Sequence, residues 1–324
     1  MEQRLYYVPI HPCFWLAIAI VSALVSSVAT WLLLGWPRPG RDRWMMVALL
    51  VVAAAPLWVP RSDYAYRVPA ALVAVAMLVK LYDLHVSDGM RPPLRQFLPY
   101  LFNVFLLVYR KRDEKEGKPD REKDLRALAL AMAKAALALP LCILAFWYSW
   151  RGVPLLIEHA TKVIAVFLFI EPGCALVAAL WRLSGRTARD FMRAPLLAST
   201  PADFWRRYNR PVQQFFHDDL FVPWGGRRAP LRLTFVTFVV SALIHEYVFG
   251  IILGRVLGFQ TAFFLLQGVA ATATLRLRPR CAWQWIARAA TLAFNIVTSV
   301  LFFANLNQVL PFYSRPLPWP LAGW

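Results

Sequence analysis

Apolar residues fall along this chain in long runs, and charged residues gather between them. A helix needs about twenty apolar residues to cross a hydrocarbon core. Eight segments approach or exceed that length: 14–35, 44–59, 68–84, 126–148, 154–181, 231–254, 257–274 and 285–306. The second and third are short. The fifth is long and carries His159, Lys162 and Glu171, so it is expected to be tilted or broken. A further apolar stretch, "FLPYLFNVFLLVY" over 97–109, is too short to span and reads as a re-entrant or interfacial helix. The pattern predicts an all-α, polytopic membrane helical bundle of about eight transmembrane helices. It reads as a single domain over 1–324, because no polar segment is long enough to fold alone. The longest polar stretch, 110–126, reads as a charged loop.

Composition agrees. The 324 residues are 59% hydrophobic, above the roughly 45–50% usual in soluble domains. A net charge of +18 would suggest nucleic acid in a soluble protein. In a membrane protein, Lys and Arg collect in cytoplasmic loops, and no nucleic-acid partner is needed. With the N-terminus outside, the inside loops hold 27 of the 36 Lys and Arg and the outside segments 6. Both termini then face away from the cytoplasm. The start, "MEQRLYYVPIHPC", lacks a small-residue cleavage site, so no cleavable signal is expected, and His11 reads as interfacial. The four cysteines are scattered and read as packing residues. Arg far outnumbers Lys and Ala is abundant, a balance that fits a GC-rich bacterial genome and an inner-membrane location.

Two stretches carry candidate chemistry. "STPADFWRRYNRPVQQFFHDDLFVPWGG" (199–226) places Phe204, Trp205, Tyr208, Val212, Phe215 and Phe216 near one helical face, and Arg206, Arg207 and Arg210 largely on another. This predicts an amphipathic interfacial helix, aromatics toward the acyl chains and arginines toward water, with Pro211 kinking or restarting it. In the following span, "SALIHEYVFG" (241–250) sets His245 and Glu246 among apolar residues. An ionisable residue there costs about 2.5–3.5 kcal/mol even on lenient insertion scales. Adjacent residues diverge by about 100° on a helix, so the two are not a facing pair. Phe249 stands where a zinc-protease HExxH motif needs its second His. His217, Asp218 and Asp219 are consecutive and cannot all face one point on a helix, so no metal site is expected.

"DFWRRYNRPV", followed 36 residues after its Asn by the His of "VVSALIHEY", resembles the paired motifs of the membrane-bound O-acyltransferases. The likeness is nearest to the wax synthase branch and the related diacylglycerol and sterol acyltransferases. Tyr208 stands where wax synthases usually have Trp. The resemblance implies that His245 is the catalytic base and Asn209 the motif's functional Asn. A neutral imidazole can take the proton from an attacking hydroxyl, and a water-poor site favours the neutral ring. The Asn209 amide can orient the imidazole or donate to a developing oxyanion. Trp205 and Tyr208 would line the substrate channel, and Arg206, Arg207 and Arg210 would meet CoA phosphates. Glu246 would support the site beside the base.

The implied reaction moves a fatty acyl group from acyl-CoA, a co-substrate with no further cofactor, to a lipophilic alcohol. A wax ester is the first expectation; diacylglycerol, a sterol-like alcohol and a secondary-metabolite hydroxyl compete. Three rival readings remain: a proton-coupled transporter using His245, Glu246 and Glu171, a non-catalytic scaffold, and an acyl-carrier protein as donor. The oligomeric state is open, homodimer included.

Overall fold

The computed structural model describes residues 12–86, 91–111, 116–318 and 321. His11 and the middle of the charged loop, 112–115, lie outside the described residues. The architecture is all-α. Its helices are α1 (Pro12–Leu33), α2 (Arg38–Ala54), α3 (Tyr64–Val86), α4 (Leu94–Phe102), α5 (Arg121–Trp147), α6 (Leu155–Leu183), α7 (Pro201–Arg207), α8 (Arg210–Phe215), α9 (Pro230–Leu253), α10 (Phe259–Thr274) and α11 (Ala282–Asn307).

Each of the eight expected apolar segments is helical, but six are long and apolar enough to cross a membrane: α1, α3, α5, α6, α9 and α11. The expected count of eight is thus not met among the described residues. α2 and α10 have 17 and 16 residues, about 25 Å of helix at 1.5 Å per residue, short of a core about 30 Å thick. α6 is unbroken and passes through Pro172. The 97–109 stretch is helical only as far as Phe102. Beyond it the Asn103 side chain accepts from Phe105 N (2.9 Å), and the Tyr100 hydroxyl donates to the Leu107 carbonyl (2.6 Å). These bonds hold a compact non-helical turn. α5 begins inside the expected charged loop, because the Asp120 side chain caps Lys123 N and Asp124 accepts from Asp120 N. That arrangement satisfies two orphan donors of the first turn.

The residues cluster into two compact units. The first comprises 1–92 with 248–255. Small residues bring its helices together: Ala19 and Ala70 are buried against Val59, with Trp15 and Tyr66 closing the cluster. Ser27, fully buried on α1, bonds back to the Ala23 carbonyl and meets Met77 Sδ on α3.

The second unit comprises 93–247 with 256–324. Arg182, near the end of α6, pairs at 2.5 Å with Asp124 in the first turn of α5, and both are buried. This pins the two as an antiparallel hairpin. Arg182 also donates to the Ala188 carbonyl (2.8 Å), tying the hairpin to the segment that leads into α7. Glu246, late on α9, receives Gly258 N and Thr261 N at the start of α10. Gly268, later on α10, lies against Phe238, earlier on α9, where an added Cβ would come within 2.7 Å of Phe238 Cβ. α9 and α10 therefore run antiparallel and nearly touch at a residue without a side chain. Gln260 and Gln267 on α10 reach the Phe302 carbonyl and the Thr298 hydroxyl of α11. α11 thus runs antiparallel to α10 and parallel to α9.

Candidate active site

The site begins with a helix start and a sharp break. Thr200 caps α7 by accepting from Asp203 N (3.0 Å), and Asp203 reaches back to Ser199 N (3.2 Å). Pro201 occupies the first turn, where its missing N–H costs nothing. The expected single amphipathic helix does not continue. α7 ends at Tyr208, and Asn209 turns into the left-handed region (φ 45°, ψ 58°), which Asn tolerates better than most residues. Pro211 then restarts the chain as α8, which runs on into one π-helical turn, Phe216–Phe221.

The break turns the aromatic face toward neighbouring helices. The Trp205 ring meets Phe238 (5.3 Å, edge-on) and Phe264 (5.7 Å), and its Nε1 donates to Gln267 Oε1 at 2.9 Å. Phe204 and Tyr208 stack 5.6 Å apart and nearly parallel, with Phe167 of α6 beside them.

These rings wall a cavity of about 380 Å³, within the second unit, that is mostly apolar. His245, Asn209, Trp205 and Tyr208, all predicted from sequence, line it together with Arg206. His245 Nδ1 lies 2.8 Å from the Ser241 carbonyl one turn back. A carbonyl only accepts, so Nδ1 carries a hydrogen, and in the neutral ring Nε2 holds the lone pair. No hydrogen bond engages Nε2 among the described residues. The Phe264 ring lies 4.2 Å from the imidazole, centroid to centroid, and limits its rotation. Asn209 makes no hydrogen bond to His245; the Ser241 carbonyl orients the ring, the first of the two roles open to Asn209. The Asn209 Oδ1 is instead buried without a partner in the cavity wall.

Other predicted residues fall elsewhere. Glu246 is buried, does not line the cavity and caps α10, accepting from Gly258 N (2.8 Å), Thr261 N (2.9 Å) and the Thr261 hydroxyl (2.9 Å). Arg210 pairs with Glu116 at 2.5 Å, a carboxylate that Arg193 also engages at 2.7 Å. Arg207 pairs with Asp203 at 3.0 Å. Arg206 and Arg207 share a second, open recess with Arg278, Arg280 and Gln284, where Asp203 is the one carboxylate. Burial and the neighbouring Arg278 hold the Arg206 guanidinium below its usual range. Four cations facing one acid make that recess electropositive. His217 lines the cavity with Nδ1 on Asp218 (2.7 Å), while Asp219 binds Arg110, so the two acids serve different partners.

Sequence reading missed Gln267, Asn295 and Ser299, which line the cavity, and Arg278 and Arg280, which line the recess. The first three are polar residues inside apolar runs, a signal that was available. The last two become neighbours of α7 only through the fold.

Helices of membrane length, α6, α9 and α11, line a chiefly apolar cavity whose wall carries two imidazoles, His217 with Nδ1 on Asp218 and His245 with Nδ1 on the Ser241 carbonyl. Residues 136–305, just over half of the chain, match the profile of MBOAT, the membrane-bound O-acyltransferase family. The chain belongs to that family. Three proteins of Arabidopsis thaliana are similar to it. Acyl-CoA--sterol O-acyltransferase 1 is 28% identical over 185 residues, 52% of this chain and 53% of that protein. "Probable long-chain-alcohol O-fatty-acyltransferase 1" is 31% identical over 193 residues, 53% of this chain and 54% of that protein. "Probable long-chain-alcohol O-fatty-acyltransferase 8" is 30% identical over 158 residues, 44% of this chain and 47% of that protein. The chain spans about half the length of the curated relatives it matches.

Proposed function

We propose that the protein transfers a fatty acyl group from acyl-CoA to the hydroxyl of a lipophilic alcohol, forming an ester, with His245 as general base. The observation that carries this reading is the Nδ1 bond to the Ser241 carbonyl, which in the neutral ring gives Nε2 the lone pair, with no partner among the described residues, in the wall of an apolar chamber. An alcohol in that chamber would give its proton to Nε2 as its oxygen attacks the thioester carbonyl carbon. The carbon–sulfur bond breaks, and the departing CoA thiolate takes the proton back from the imidazolium. The Asn209 side chain, which makes no hydrogen bond among the described residues, can turn its NH2 group to the thioester oxygen or the developing oxyanion. The electropositive recess beside Arg206 suits the CoA phosphates, which bind well to guanidiniums. The printed names of the relatives, a sterol and two long-chain-alcohol acyltransferases, support a lipophilic alcohol as acceptor. A long-chain alcohol remains the first reading, and the composition supports a bacterial inner membrane.

The test is product identification. Detergent-purified protein would receive palmitoyl-CoA with hexadecanol, a diacylglycerol or a sterol, and esters would be sought by mass spectrometry. An acceptor-dependent ester is expected. Absence of any ester together with intact palmitoyl-CoA would overturn the reading.

A further inference from the structure

The same cavity wall carries a second histidine-centred cluster that the proposed transfer does not use. His159, near the start of α6, is fully buried. Its Nδ1 lies 2.8 Å from the Tyr313 hydroxyl, and its Nε2 lies 3.0 Å from both the Ile296 carbonyl and Ser299 Oγ. The carbonyl only accepts, so Nε2 carries the hydrogen and Nδ1 accepts from Tyr313. This is the opposite tautomer to that of His245. The Ser299 hydroxyl donates to the same Ile296 carbonyl at 2.9 Å. A buried pair braces the cluster: Lys162 Nζ meets Glu158 (2.7 Å) and the Phe312 carbonyl (2.7 Å), and Ser314 N donates to Glu158 (2.7 Å). The tail that bears Tyr313 is thereby fixed to α6.

Of this cluster, Ser299 and Ile296 line the cavity, and Ser299 is the one of the two with a polar side chain. An imidazole N–H pointing at the serine cannot take its proton, so Ser299 is not built as a nucleophile. A serine hydroxyl has one hydrogen and two lone pairs. The hydrogen goes to Ile296 and one lone pair faces His159, which leaves one lone pair for whatever fills the cavity. The hydroxyl can also turn toward a ligand without orphaning the Ile296 carbonyl, because His159 donates to it as well.

The depth of Ser299 matters. α9 and α11 are parallel; His245 lies level with Phe302, their rings 6.2 Å apart. Ser299 sits three residues earlier on α11, about 4.5 Å along the axis, with Val163, Phe302 and Phe303 among the cavity's apolar lining. Ser299 is thus a polar group less than one helical turn from Phe302, the residue beside the proposed base, in an otherwise apolar stretch of the wall.

We propose that Ser299, held in place by His159 and Tyr313, binds a second hydroxyl on the acceptor. The favoured acceptor is then a lipophilic diol, such as a long-chain 1,2-diol or a partly acylated polyol, over a simple alkanol. The inference rests on the acyl-transfer reading and deepens it.

The experiment compares 1-hexadecanol with 1,2-hexadecanediol on the detergent-purified full chain, as acceptors with palmitoyl-CoA and as ligands in thermal unfolding without donor. The native protein should favour the diol in kcat/KM by about five- to tenfold, the worth of one net hydrogen bond, and should gain more Tm from it. In Ser299→Ala both preferences should collapse toward one. Tyr313→Phe, which frees His159 Nδ1, should shrink the ratio part of the way, which loss of packing alone would not do. Equal use of the two acceptors, or a diol preference that survives Ser299→Ala, would overturn the proposal and leave the acyl-transfer reading standing. A diol-selective Tm shift that depends on Ser299, with no turnover of either acceptor, would support the binding role and remove the acyl-transfer reading.

Discussion

A single hydrogen bond sets the character of His245. Its Nδ1 is committed to the Ser241 carbonyl, and the orientation of one ring nitrogen fixes the role of the other. Asn209 does two things that can be separated. Its backbone takes a left-handed turn, while its side-chain oxygen sits unpartnered in the cavity wall. Asn209→Gly keeps the backbone turn, since glycine adopts positive φ freely, and removes the amide. Its Tm should stay near the native value while acyl transfer falls by about a hundredfold; retained turnover would reduce Asn209 to a hinge. Glu246 is the reverse case, a stability residue beside the proposed base. Glu246→Ala strips three hydrogen bonds from the start of α10 and should cost about 1–3 kcal/mol. Glu246→Gln, which still accepts, should cost less; chemical unfolding reads both. His245 and Asn209 were singled out from the sequence by the paired stretches that hold them, and the fold brings both to one cavity. The capping role of Glu246 was not legible, because the donors it serves lie 12 and 15 residues further on and no spacing announces them.

Helices were legible where apolar runs were long, and their ends were less so. The polar first turn of α5 looked like loop because charge density resembles a linker until the Asp120 cap is seen. The break at Asn209 escaped the pattern because 3.6-residue periodicity describes faces, not dihedral angles. That break replaces one continuous helix by two short ones, the first of which, α7, carries Trp205 and ends at Tyr208 in the cavity wall. The packing of α10 on α9 depends on Gly268. Gly268→Ala would drive a methyl group into Phe238, and Phe238 packs on Trp205. Overpacking of this kind typically costs about 1–3 kcal/mol. Because α10 also carries Phe264 against His245, the variant should lower both Tm and turnover, measured on the same preparation. An unchanged Tm would contradict the close approach.

At the scale of the whole chain, charge and hydropathy did most of the sorting. The apolar runs gave the fold class, while the orientation read from the skew of Lys and Arg rested on eight alternating spans, of which six are long and apolar enough to cross a membrane. Sequence could not show that Arg278 and Arg280, about seventy residues from Arg207, share a recess with it. If the recess receives the phosphates of the donor, salt should weaken donor binding, since screening reaches about 10 Å at 0.1 M. The KM for palmitoyl-CoA should rise with ionic strength, and Arg278→Ala with Arg280→Ala should raise it further at low salt while changing kcat little. A salt-independent KM would place the phosphates elsewhere.

The central claim is that His245 takes the acceptor's proton. The most direct test is the initial rate of CoA thiol release from palmitoyl-CoA, with and without a lipophilic alcohol, for the native protein and His245→Ala. Palmitoyl-CoA binding would be measured on both in parallel. Acceptor-dependent release should fall by about 10²–10⁴-fold in the variant, with donor binding retained. A variant that binds palmitoyl-CoA normally and keeps more than about a tenth of the native rate would contradict the assignment.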